Sequence, residues 1–195
     1  DDDCDGEVDE DGVDCGVPPT SVVELDSGCP VVQCTDCGCA YCARRQDGAV
    51  YCWGESAYTG IASGGLSDDG PYHTPNRIEL TGPTESIAMG HNIAVALIGG
   101  QAWLWGAAWS GMANTGQSTS SAIPPTAVVD PTTEAPFDDV VAIDSADRQS
   151  CLLRANGTLW CWGLASPSGA MGPGPSEDMG IFWTVTPLRY TQGGE

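Results

Sequence analysis

The chain is 195 residues long and carries 27 Asp and Glu against 6 Arg and no Lys, a formal net charge of −21. Charge of that sign and size is repelled by phosphate backbones and by anionic lipid surfaces, which excludes sequence-independent nucleic-acid binding. No apolar run approaches the ~18 residues needed to span a bilayer, so no membrane insertion is expected. With 26 Gly, 14 Pro and 7 Trp, the composition argues for many short strands rather than a helical bundle.

The first element is an acidic head, residues 1–20. Asp1, Asp2, Asp3, Asp5, Glu7, Asp9, Glu10, Asp11 and Asp14 crowd its first turn of sequence. Asp1, Asp3 and Asp5 alternate, Gly6 follows, and Glu7 and Asp9 continue the series. This is close to the first nine positions of an EF-hand loop, where alternate oxygens surround a hard cation and glycine makes the turn. Position 12 is Gly12, so the bidentate glutamate is missing; Glu10 or Asp11 stands nearest to replace it. Calcium is therefore the expected cofactor, with Asp1, Asp3, Asp5, Glu7, Asp9 and Glu10 as ligands. A solvated acidic tail with no ligand is the competing reading. There is no basic n-region before Asp1, so a signal peptide is expected to have been removed or to lie outside this sequence.

Eight of the ten cysteines fall within the first 52 residues. An even count at this density points to an oxidising location: outside the cell, on its surface or in the periplasm. Cys34, Cys37, Cys39 and Cys42 form two C-x-x-C pairs too close together for the ~15–20-residue separation of a zinc ribbon. If Cys42 is used elsewhere, Cys29, Cys34, Cys37 and Cys39 allow three pairings. Two disulfides and a zinc site both remain open for them.

From residue 21 onward the chain repeats itself. Trp53-Gly54, Trp105-Gly106 and Trp162-Gly163 each close a similar stretch, and the pairs are separated by 105 − 53 = 52 and 162 − 105 = 57 residues. Before each lies a short apolar run: Val22–Leu25, Ile87–Met89 and Val140–Ile143. After each lie a glycine-bearing loop and a proline-led segment beginning at Pro75, Pro125 or Pro187. Each unit thus offers about four strands, two of them in a glycine-turned hairpin. Gln46-Asp47-Gly48 and Ala155-Asn156-Gly157 fit three-residue loops with a left-handed glycine, and Ile98-Gly99-Gly100 takes the same place in the second unit. In that register Cys42 faces Cys52, Cys151 faces Cys161, and Ala94 faces Leu104. Both cysteines are absent together from the second unit, as cross-strand disulfides require. Tyr51 and Trp53 share one face of their strand with Cys52 opposite; Trp103, Trp105 and Leu104, and Trp160, Trp162 and Cys161, repeat the arrangement. Such strands have no polar face and need cover on both sides.

The stretch Cys42–Gly54 with Thr74–Ile78, and Cys151–Gly163 with Thr186–Tyr190, resembles the regulator of chromosome condensation repeat in its cysteine-bearing, secreted bacterial form. The resemblance covers residues 21–192. It implies an all-β fold of β-propeller blades, here about three, a partial ring. The units are 21–81 (with a Cys-rich insertion), 82–131 and 138–192. Further blades from a longer chain, or closure by association, are expected. The head resembles an acidic metal-binding motif of bacterial surface proteins, a resemblance that implies a local disulfide between Cys4 and Cys15.

No catalytic constellation is visible, and no enzymatic activity is expected. His73 is expected in a loop and His91 at the start of a strand. Arg77 and Arg189 occupy matching places and are expected to meet carboxylates between blades. The variable stretches 55–73, 107–123 and 164–185 carry Tyr58, Tyr72, Trp109, Phe182 and Trp183, residue types that suit a protein interface. The expected function is a secreted or cell-surface binding module for a protein partner. A guanine-nucleotide exchange activity, implied by the resemblance, and a structural role in the cell envelope are the alternatives.

Overall fold

The computed structural model describes residues 21–28, 39–54, 61, 72–91, 93–107, 122–146, 149–164 and 181–188, with the backbone alone for 72, 107, 164 and 181–188. The described residues are all β. The first sheet holds β1 (Val22–Gly28), β2 (Ala40–Arg45), β3 (Val50–Gly54) and β4 (Tyr72–Ile78). The second holds β5 (Ser86–Met89), β6 (Ile93–Ile98), β7 (Gln101–Ala107) and β8 (Ala122–Ala127). The third holds β11 (Val140–Ala146), β12 (Gln149–Arg154), β13 (Leu159–Leu164) and β14 (Ile181–Leu188). In each, the strands lie in chain order and pair antiparallel. Between the second and third sheets, β9 (Val129–Asp130) and β10 (Ala135–Pro136) form a two-stranded ribbon that the repeat pattern does not foreshadow. Residues 1–20 and 29–38 lie outside the described residues, so the head and most of the Cys-rich insertion are not placed.

The hairpins of the first and third sheets adopt the expected register. Arg45 N–H donates to the Ala49 carbonyl and Gly48 N–H to the Arg45 carbonyl, closing a three-residue loop. Arg154, Thr158 and Gly157 repeat it. Cys42 therefore faces Cys52, and Cys151 faces Cys161. Both pairs are disulfide-bonded, each across a sequence separation of 10.

The second hairpin differs from expectation by one residue. Its loop is the two-residue Gly99-Gly100, and Ile98 pairs with Gln101. Both glycines have φ above zero, 56° and 77°, as a type I′ turn requires at its two central positions. One residue fewer in the turn shifts the partner strand by one place. Leu104 consequently faces Val95, not Ala94, and Ala94 faces Trp105. Val95 and Leu104 stand where the other two sheets have a cystine.

The Trp-Gly pairs mark a β-bulge. The third-to-fourth strand register slips between Cys52 and Gly54, between Leu104 and Gly106, and between Cys161 and Gly163. The glycines carry φ of 99°, 119° and 113°, a region in which a Cβ is strongly disfavoured. At Gly54 an added Cβ would also run into the Cys39 carbonyl oxygen. The outer strands contain Pro75, Pro125 and Pro187, tolerable because an edge strand has a side that needs no donor.

The sheets stack face to face. All six residues of β6 are buried, and they alternate between two cores. Ile93, Val95 and Leu97, with Ala102 and Leu104, pack toward the third sheet with Leu152, Trp160 and Trp162. Ala94, Ala96 and Ile98, with Trp105, pack toward the first sheet with Cys42, Cys52, Val50 and Ile78. In the second sheet, strands without a polar face are thus covered on both sides, as their sequence demanded.

Candidate binding face and the joints between sheets

The connections β3–β4, β7–β8 and β13–β14 leave the same end of each sheet, beside the Trp-Gly bulge. The hairpin turns lie at the other end. Tyr72 pairs with Gly54, Ile123 with Gly106 and Phe182 with Gly163. Two of the expected partner-binding residues, Tyr72 and Phe182, therefore occupy equivalent register positions where the variable loops rejoin the sheets. Trp183 follows in β14. Tyr58 and Trp109 lie outside the described residues, as do the metal candidates Asp1, Asp3, Asp5, Glu7, Asp9 and Glu10 and the cysteines Cys4 and Cys15. Among the described residues no cluster of three or more His, Cys, Asp or Glu is poised to hold a metal ion. His73 lies within β4 rather than in a loop.

Repeated hydrogen bonds hold one sheet to the next. In the first two hairpins a glycine carbonyl receives an N–H from the segment leading into the following sheet: Thr84 to Gly48 at 3.0 Å, and Val140 to Gly100 at 2.9 Å. Along the inner strands, Glu24 and Asp26 of β1 accept main-chain N–H groups of β5, Ile87 to Glu24 Oε2 at 3.2 Å and Met89 to Asp26 Oδ2 at 2.7 Å. Arg44 steadies Glu24 from behind, its Nε donating at 2.7 Å. The buried Trp105 indole N–H reaches back to the carbonyl of Ile61, in the loop after the first Trp-Gly, at 3.1 Å. Ile61, itself buried, thus belongs to the core of the joint with the next sheet. Arg77, expected at such a joint, instead lies 3.9 Å from Glu79 of its own unit, and both are exposed. A residue following the proline sits at the outer edge, away from the joints; the residues at the inner edge make them. Glu24 and Asp26 carry a faint sequence signal, since Leu25-Asp26-Ser27 recurs as Ile143-Asp144-Ser145.

The β9–β10 ribbon forms a second polar centre. Arg154 donates to Asp139 at 2.6 Å and to Asp130 at 3.4 Å. Its guanidinium lies over the Phe137 ring, which meets Trp160 edge-on. Asp130 is buried and accepts from both the amide and the hydroxyl of Thr132. Burial acts to raise its carboxyl, but the Thr132 bonds, the Arg154 charge and the Thr133 amide outweigh it and hold the pKa below the usual aspartate value. A folded-state pKa below the unfolded value means that the stabilisation is present above that value and is lost as pH falls through the folded one. The native chain is therefore expected to lose stability below about pH 4 more steeply than an Asp130→Asn variant. Thermal melts of the two across that range check this; parallel curves would remove Asp130 from the acid transition.

No family model and no curated protein matches this sequence. Solved structures do match. Human WBSCR16 superposes with a TM-score of 0.64 at 16% identity, over 78% of this chain and 37% of its own. Yeast RCC1 (Prp20) bound to Kap60 gives 0.61 at 21%, over 78% and 35%. This chain has the fold of the regulator of chromosome condensation propeller. Prp20p from Saccharomyces cerevisiae, whose structure is described together with binding to Gsp1p and histones, gives 0.62 at 17%, over 90% of this chain and 40% of its own. The three sheets are propeller blades, and the chain spans less than half the length of each of these neighbours.

Proposed function

We propose that this chain is a secreted or cell-surface propeller module that presents the loops after its Trp-Gly pairs to a protein partner. The observation that carries the reading is the gathering of all three long connections at one end of the blades, with Tyr72 and Phe182 at matching positions beneath them. A rigid scaffold with variable loops at one end is suited to recognition. Cystines in two of the three blades support an oxidising location. Prp20 was crystallised bound to Kap60, which makes a protein partner a reasonable expectation for the fold; exchange-factor activity would need loops of its own, and fold likeness does not supply them. We assign the chain no catalytic step. The acidic head is read as a calcium site that stiffens the approach to the first blade, with oxygen ligands from Asp1, Asp3, Asp5, Glu7, Asp9 and Glu10.

The test is capture from the extracellular and surface fraction of the source organism on immobilised chain, with and without a calcium chelator. A Tyr58→Ala/Trp109→Ala variant with an unchanged melting temperature is expected to lose the captured protein. Equal capture by the variant would reject the loop face. Isothermal titration with calcium is expected to give a heat at millimolar concentration that Asp3→Asn/Asp5→Asn removes; no heat would reject the metal site.

A further inference from the structure

We propose that the acidic head folds back onto the first blade, with the Asp14 carboxylate accepting a hydrogen bond from Nε of the buried Arg45. The inference depends on neither the metal nor the partner reading above, since Asp14 is not among the calcium ligands.

Arg45 and Arg154 occupy the same place in the repeat. Each donates its main-chain N–H across the hairpin loop, Arg45 to Ala49 and Arg154 to Thr158. Each pairs with the first residue of its inner strand, Val22 or Val140. One residue on, Gln46 N–H donates to the Ser21 carbonyl at 3.0 Å, and Ala155 N–H to the Asp139 carbonyl at 2.8 Å. Ser21 therefore holds the place of Asp139. Arg154 draws both its carboxylates from the segment leading into its blade: Asp139 accepts from Nε at 2.6 Å, and Asp130, further back, accepts from Nη1 at 3.4 Å.

Arg45 lacks the acceptor that Asp139 gives its counterpart. Its Nη2 donates to Asp47 at 2.8 Å and its Nη1 to the Tyr51 hydroxyl at 3.2 Å, with the guanidinium over the Tyr51 ring. Its side chain is only 6% exposed, and Nε is buried with no hydrogen-bond partner. A buried donor on a charged group carries a desolvation cost until an acceptor meets it. The guanidinium fork is rigid, so Nε cannot turn elsewhere while both Nη atoms are held. In the repeat, that acceptor comes from the lead-in to the blade. For the first blade the lead-in is residues 1–20, whatever stands before them. Residues 15–20 read Cys-Gly-Val-Pro-Pro-Thr and hold no carboxylate. Asp14 is the first acid met going back from β1, so among the head's acids it closes the shortest loop onto Arg45, the least costly in chain entropy. The first 14 residues are rich in acids and carry no base, and a cation relieves their mutual repulsion. Ser21 and Gln46 lie at the hairpin end of the first blade. The docked head therefore sits opposite the connections that leave beside the Trp-Gly pairs, and the loop face stays clear.

Proton–nitrogen NMR of the arginine side chains in the full chain is the experiment. A calcium chelator is present throughout, so that metal binding does not enter the result. The chain has six arginines and hence at most six Nε–H signals, and Arg45→Lys identifies the one that belongs to Arg45. In the native chain that proton is expected to exchange slowly with solvent and to show a through-space contact to the Asp14 β-protons. Asp14→Asn should speed its exchange about tenfold, with the Arg154 signal and the melting temperature unchanged. Adding Ser21→Asp to Asp14→Asn should restore slow exchange, because it returns the carboxylate that Asp139 supplies in the third blade. An exchange rate at Arg45 that Asp14→Asn leaves unchanged overturns the proposal, whether Asp11, a carboxylate of another blade or no group at all meets Nε. So does the absence of the Asp14 contact in the native chain, a measurement that needs no Asp14 variant to fold.

Discussion

Replacing Trp105 with alanine is expected to lower the unfolding free energy by about 3–5 kcal/mol, the range for emptying a buried aromatic site. Trp105 is fully buried between the first two blades, among Cys42, Cys52, Val50 and Ile87. Its bulk fills the joint, and its indole N–H holds Ile61 of the preceding loop at 3.1 Å. Two effects should separate in denaturant unfolding. Trp105→Ala loses packing and the hydrogen bond together, whereas Trp105→Phe keeps most of the packing and should cost about 1–3 kcal/mol. A loss under 1 kcal/mol for the alanine variant would mean that the first two blades are not sealed by this residue. At Trp105 and Trp162 the indole is buried in a core between two sheets, and the residue that follows takes the bulge at a φ that only glycine adopts comfortably.

The disulfides carry the second large effect. Each closes a loop of about eleven residues, worth about 3 kcal/mol in the chain-entropy model. Cys42→Ser/Cys52→Ser should cost more than Cys151→Ser/Cys161→Ser. Both members of the first pair are fully buried in the core shared with the second blade, so hydroxyls there would be buried between apolar sheets, whereas Cys151 is partly exposed. Thermal melts of the two double variants, against the reduced native chain, measure the difference. The second blade supplies a sharper check on its register. Val95→Cys/Leu104→Cys should form a further bond, adding no free thiol by titration under denaturing conditions. Ala94→Cys/Leu104→Cys should leave two thiols more than the native chain, because Ala94 and Leu104 point into opposite cores.

Much of the architecture was legible in the residues. The recurrence of Trp-Gly, the paired presence and absence of cysteines, and strands lacking a polar face led to stacked four-stranded sheets. These signals are local: turn chemistry sets hairpin register, and period-two alternation sets faces. The one-residue error in the second hairpin has a local cause as well, since Gly99-Gly100 supports a tighter turn than its neighbours in the other units. The β9–β10 ribbon was missed because it belongs to no repeat, although Asp130-Pro131-Thr132 is an evident turn former.

Sequence alone determined the fold class, the three Trp-Gly hairpin units and the disulfide partners in two of them. Tertiary structure decided which residues join the blades. Glu24 and Asp26 bond amides 63 positions away, and the local recurrence around Asp26 does not tell that the carboxylate's partner is a main-chain N–H in another sheet. The same holds for Trp105 and Ile61, 44 positions apart, and for Arg77, whose matched position suggested a joint that the inner strands make instead. Joints of this kind depend on which edges stacking brings together, and that is settled only when the sheets pack.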